Sequence, residues 1–198
     1  MTMDPYPSTP DGEILRRRSA VQGGLQQRAI DGILVTQPVD LLYLTGRPPD
    51  GFLYLPSQGD PVPFPSGSTA SSRGGPLENA KALALLRDTP GAFPGVLGLE
   101  LDVVSVQSYT VLRRAFRGSR IVDGSRTLLD ARRIKSAWEL DRMDQLAWRT
   151  RETFEYARQV LKPGMTEIAF AGLMEARAGA LGISSRVRVR DYRTEGYP

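Results

Sequence analysis

Apolar positions along the chain fall into short blocks separated by polar joints rich in glycine and proline. After Thr9-Pro10-Asp11, Ile14, Val21 and Leu25 recur at helical spacing and predict a helix ending near Arg28. Thr9 is expected to cap it, with proline in the first turn and an acid near the positive end of the helix dipole. Asp31-Gly32 marks a turn, and the unbroken apolar run Ile33-Leu34-Val35 predicts a short buried strand. Leu41-Leu42-Tyr43-Leu44 is also apolar and closes at Thr45-Gly46, which leaves a helix or a strand end open. Phe52-Leu53-Tyr54-Leu55 predicts another strand, with its hairpin turn at Gln58-Gly59-Asp60. The returning segment, residues 61–65, carries Pro63 and Pro65, each lacking a ladder donor, and is expected at a sheet edge or as coil. Residues 66–75 read as a Ser/Gly-rich loop and 76–87 as a helix. Val96-Leu97-Gly98-Leu99 predicts a strand, and residues 105–116 a helix with Tyr109, Leu112 and Phe116 on one stripe. Arg120-Ile121-Val122-Asp123 predicts the next strand. Helices alternating with short strands, one pair joined as a hairpin, predict an α/β fold with a mixed sheet flanked by helices.

From Ile134 the pattern changes. Ser136-Ala137-Trp138-Glu139 has the form of a capping box. It opens a long helix with Leu140, Met143, Ala147, Phe154, Ala157 and Leu161 on its apolar face, stopped by Lys162-Pro163-Gly164. Thr166 caps a second helix, which runs to Gly182. Val187 and Val189 then alternate with Arg186, Arg188 and Arg190, as in a strand with one apolar and one basic face. Two helices and one strand enclose little core. This stretch is therefore expected to be the opening of a second domain that leans on further polypeptide.

Composition narrows the chemistry. The 198 residues contain no cysteine and no histidine, which removes disulfides, thiolate or histidine metal sites and every nucleophile–histidine pair. Lysine plus arginine number 26 against 22 aspartates and glutamates, a net charge of +4, and 23 of the 26 are arginines. The excess lies in residues 131–198, with 13 basic and 9 acidic side chains, interleaved in a way that argues against a nucleic-acid face. No apolar run is long enough to span a membrane, and no secretory signal opens the chain, so a cytoplasmic protein is expected. The glycines form no dinucleotide fingerprint behind a strand.

Several strings, in order, resemble the creatinase/aminopeptidase P/prolidase family of metallopeptidases (M24), and most of all bacterial Xaa-Pro peptidases. They are Thr9-Pro10 through Ile14, Asp40-Leu41-Leu42-Tyr43-Leu44-Thr45-Gly46, Leu97-Gly98-Leu99-Glu100-Leu101-Asp102 and Arg133-Ile134-Lys135-Ser136 with Trp138-Glu139-Leu140. Lys162-Pro163-Gly164-Met165-Thr166-Glu167 and Arg188-Val189-Arg190 complete the set. The chain departs from the family at Val62-Pro63-Phe64-Pro65-Ser66, where relatives have an unbroken apolar strand.

The resemblance implies an N-terminal α/β domain over residues 1–132 and, over 133–198, the first helices and strand of an α+β "pita-bread" catalytic domain. That domain would be truncated before the metal ligands. Relatives cleave the bond before proline with water activated by two divalent ions, manganese or cobalt, held by carboxylates and a histidine. No metal ligand or catalytic residue is assigned in this chain, which is expected to be inactive alone. The alternative is a non-catalytic dimerisation or accessory module built on the N-terminal domain. By the same resemblance Arg47, in a loop near the partner subunit's active site, and Arg188 and Arg190, approaching the cleft, are candidate substrate-binding residues. A homodimer acting on a peptide or small amide is implied, with no nucleic-acid or membrane partner. Ser136 and Glu139 are read as structural caps, and Tyr43 as a buried aromatic.

Overall fold

A computed structural model describes residues 8–47, 51–64 and 93–183. These form two compact units, residues 8–134 and 135–183. The loop read at 66–75, the helix at 76–87 and the arginine strand near 186–190 lie outside the described residues.

The first unit runs α1 (Asp11–Gln27), β1 (Gly32–Val35), α2 (Pro38–Thr45), β2 (Phe52–Pro56), β3 (Val62–Phe64), β4 (Val96–Leu99), α3 (Val106–Ala115), β5 (Arg120–Asp123) and α4 (Ser125–Arg133). Its five strands form one mixed sheet in the order β3-β2-β1-β4-β5. β1 is antiparallel to β2 and parallel to β4, β2 is antiparallel to β3, and β4 is parallel to β5. Val62-Pro63-Phe64 does form a strand, at the edge, where a missing proline N–H costs no interior pairing.

Alternation along the strands builds two cores. Ile33 and Val35 lie opposite Leu55 and Leu53 and face α1, α2 and α4 through Val21, Leu25, Leu41, Leu44 and Leu128. Leu34, Phe52, Tyr54, Leu97 and Leu99 face the other way and pack on Leu112 of α3 and on Phe116 at its C-cap. Each fully buried side chain of this kind stabilises the fold by about 1.5–3 kcal/mol. On the first face β1 and α4 come very close: a Cβ on Gly124 would lie 2.8 Å from Ile33 Cδ1 and 3.2 Å from the Gly98 Cα. Two glycines let the start of α4 settle against the sheet.

The start of α1 differs from expectation. Pro10 itself is the N-cap, without a side-chain hydrogen bond, and its carbonyl accepts from Glu13 and Ile14 N–H. Thr9 therefore sits one residue too early to cap. The apolar block at 41–44 is helical, started by Pro38 in the first turn with Asp40 behind it.

In the second unit, α5 (Ala137–Val160) and α6 (Glu167–Ala180) pack against each other. Both caps form as read. Ser136 Oγ accepts from Glu139 N–H at 3.1 Å, and the Glu139 carboxylate accepts from Ser136 N–H at 2.8 Å. Thr166 Oγ1 accepts from Ala169 N–H. No side chain of either helix is fully buried, and Leu140, Met143, Phe154, Leu161 and Ile168 are all more than half exposed.

Candidate functional site

The stripe of α1 that faces the core carries, between Ile14 and Val21, a buried arginine. Arg17 Nε meets Glu13 at 2.8 Å, its Nη1 donates to the Tyr43 carbonyl at 3.1 Å, and its guanidinium lies 4.4 Å from the Tyr43 ring centroid. Arg18 Nε donates to the Leu44 carbonyl at 2.8 Å. Two arginines of α1 thus satisfy carbonyls at the end of α2 that no helical N–H reaches, and place positive charge at the negative end of its dipole.

The other side of α2 is held from α4. Asp40, fully buried, accepts from Arg132 Nη1 at 2.8 Å, and the Tyr43 hydroxyl donates to the Ala131 carbonyl at 3.1 Å. The Arg132 guanidinium also lies 5.8 Å from the Tyr43 ring. Tyr43 is buried as read, and its surroundings are cationic.

This cluster fixes the short turn that leads to Arg47. Thr45 Oγ1 donates to the Leu41 carbonyl at 2.7 Å and accepts from Arg47 N–H at 3.3 Å. Gly46 caps α2 in the left-handed region at φ +67°, and a Cβ there would lie 3.1 Å from Ile14 Cδ1 and Thr9 Cβ. Gly46→Ala is therefore expected to lower stability by about 1–2 kcal/mol from backbone strain alone. Thermal unfolding should show the loss, with Gly46→Asn milder. The Arg47 side chain is exposed. Arg188 and Arg190 lie outside the described residues.

The sequence pattern does not single out the second polar centre. β1 leads through α2 to β2 on one side of the sheet, and β4 leads through α3 to β5 on the other. The chain ends leaving β1 and β4 therefore diverge, the place at which open α/β sheets commonly receive ligands. Here it is occupied by the chain's own Glu100, which is fully buried. Its Oε2 accepts from Thr36 N–H at 2.6 Å, Thr36 Oγ1 at 3.0 Å and Gln37 N–H at 3.0 Å. Burial pushes its pKa above the ordinary carboxyl value, with the nearby Asp102 charge adding to the rise, while the three hydrogen bonds pull against it. Alongside, Asp123 Oδ1 accepts from the N–H and hydroxyl of Ser125 at the start of α4. The signal was faint: one acid at the end of an apolar strand.

The described residues contain no group of three or more histidine, cysteine, aspartate or glutamate side chains placed to hold a metal ion. With no histidine or cysteine in the sequence, any metal site built from this chain alone would have only oxygen donors. Among the described residues no helix is long and apolar enough to cross a membrane.

Residues 17–134 match the profile of the Creatinase/Prolidase N-terminal domain, 118 of the 198 residues. A comparison with curated proteins finds no match. Among solved structures, the chain is similar to the Xaa-Pro dipeptidase from Bacillus anthracis, at 17% identity and a TM-score of 0.69 over 84% of this chain and 49% of that one. It is also similar to dipeptidase PepE from Mycobacterium ulcerans, at 19% identity and a TM-score of 0.67 over 88% of this chain and 51% of that one. The prolidase from Thermococcus sibiricus matches at 19% identity and a TM-score of 0.67, over 86% and 50% of the two chains. The chain thus spans about half the length of these proteins.

Proposed function

The chain belongs to the creatinase/prolidase N-terminal domain family, and on that premise we propose that it supplies the non-catalytic half of a metal-dependent Xaa-Pro hydrolase. In this reading residues 1–132 are the N-terminal α/β domain, and 133–198 are the first helices and strand of the pita-bread domain. The two divalent ions, and the water they would activate, belong to polypeptide beyond these residues. The N-terminal domain acts by dimerising in the cytoplasm and by presenting Arg47 to a peptide carboxylate at the partner subunit's cleft, which Arg188 and Arg190 approach from the catalytic domain. One observation carries the reading: the family match extends over the whole mixed sheet, over α2, α3 and α4, and over most of α1.

The test is direct. Incubated with Mn²⁺ and an Xaa-Pro dipeptide, the 198-residue chain should release no free proline, and calorimetric titration with Mn²⁺ should reveal no stoichiometric site. Proline release with saturable metal dependence would overturn the reading.

A further inference from the structure

From Val103 to Val122 the sequence contains four arginines and no carboxylate. The four fall within eight residues at the junction of α3 and β5. Arg113 and Arg114 lie in the last turn of α3, Arg117 in the turn that follows, and Arg120 opens β5. All four are exposed, and none has a carboxylate partner among the described residues. In the sequence, residues 65–92 carry two acids, Glu78 and Asp88, against three bases, Arg73, Lys81 and Arg87. The dipole of α3 gives a reason for Arg113 and Arg114. It gives none for Arg117 or Arg120.

That junction leads into the last strand of the sheet among the described residues, which Arg120 opens. Among the described residues β5 pairs only with β4, as the last strand of the sheet. Arg120 N–H donates inward, to the Gly95 carbonyl at 2.8 Å. By the alternation of a strand, the N–H and C=O of Ile121 face the open side. An unpaired edge offers main-chain hydrogen bonds to an extended segment, and a cationic border selects an acidic one. Nucleic acid would use the charge and leave the edge idle.

We propose that the β5 edge and its four arginines form a docking surface for an acidic, extended segment of a partner polypeptide, which adds as a sixth strand.

The experiment uses the full chain and a labelled peptide that alternates glutamate with valine, read by fluorescence anisotropy. Binding is expected, and Arg113→Glu/Arg117→Glu should weaken it by about tenfold or more, as should a rise from low to high salt. A peptide with proline at alternate positions keeps its charge but loses main-chain donors. It should bind the wild-type chain far more weakly, and this comparison needs no variant to fold. The Ile121 amide should gain hydrogen-exchange protection on binding of the first peptide. Equal binding of the two peptides, tighter binding of a single-stranded oligonucleotide of matched charge, or an unaltered Ile121 amide would each overturn the proposal. So would absence of binding by the first peptide, and self-association of Arg113→Ser/Arg117→Ser would then show that the arginines only guard the edge.

Discussion

Replacing Arg132 with methionine should destabilise the first unit by about 3–5 kcal/mol. The reason is the unequal burial of the pair. Asp40 is fully buried, whereas the Arg132 side chain retains 30% of its exposure. Removing the arginine breaks the 2.8 Å ion pair made by a fully buried carboxylate, and breaking such a pair in the interior is costly. The opposite change is milder. In Asp40→Asn the shape survives, and the arginine head can turn toward water along its own stem. The double variant should recover much of the Arg132→Met loss, because the charge left buried is gone as well. Equilibrium urea unfolding of the two single variants and the double variant measures the coupling. If the two single losses were equal and simply additive, the buried charge would not be the source of the cost. The consequence reaches past stability: Asp40 and Tyr43 tie α2 to α4, and α2 ends at the turn that carries Arg47.

Much of the scaffold could be read from local pattern, and what escaped reading was made by distant contacts. The runs Ile33-Leu34-Val35, Phe52-Leu53-Tyr54-Leu55 and Val96-Leu97-Gly98-Leu99 announce strands because both of their faces are buried, which leaves no room for polar alternation. Ser136 and Thr166 announce helices because capping is chemistry between neighbours. Helix α4 shows no such sign. Ser-Arg-Thr-Leu-Leu-Asp-Ala-Arg-Arg is charge-rich with a short apolar stripe, and α4 forms where Leu128 enters the core under α1 and where Gly98 and Gly124 permit close approach. Arg17 was equally hidden. An arginine on an amphipathic helix reads as solvent-facing until Glu13 and a carbonyl 26 residues away are seen to take its donors. Asp40 and Arg132 stand 92 positions apart, and no local spacing rule connects them. Sequence resemblance found Arg47 as a candidate, and the structure supplies what a string of letters cannot, namely the cationic packing that holds its turn.

Truncation of Glu100 to alanine should cost about 2–4 kcal/mol, since the N–H groups of Thr36 and Gln37 and the Thr36 hydroxyl lose one shared acceptor in a half-buried position. Glu100→Gln keeps the shape and an acceptor oxygen, so it should be the milder change, and its effect should depend on pH. The folded protein holds the Glu100 pKa above its ordinary value, chiefly through burial. Stability linked to the neutral carboxyl is then fully present below the unfolded-state pKa, about 4.3, and is lost as pH rises through the folded-state value. Glutamine stays neutral throughout. The stability of Glu100→Gln relative to wild type should therefore improve from about pH 4 upward and level off once Glu100 has ionised in the folded protein. Urea midpoints for the two proteins across that range read the difference directly, and the shared acid response of every other carboxylate cancels. A gap that stays constant with pH would mean that the three donors hold Glu100 ionised at an ordinary pKa. The carboxylate would then act as a plain anionic clamp on the start of α2. A gap that closes instead makes Glu100 a plug whose surroundings favour the neutral carboxyl, in the place where sheets of this kind otherwise admit ligand.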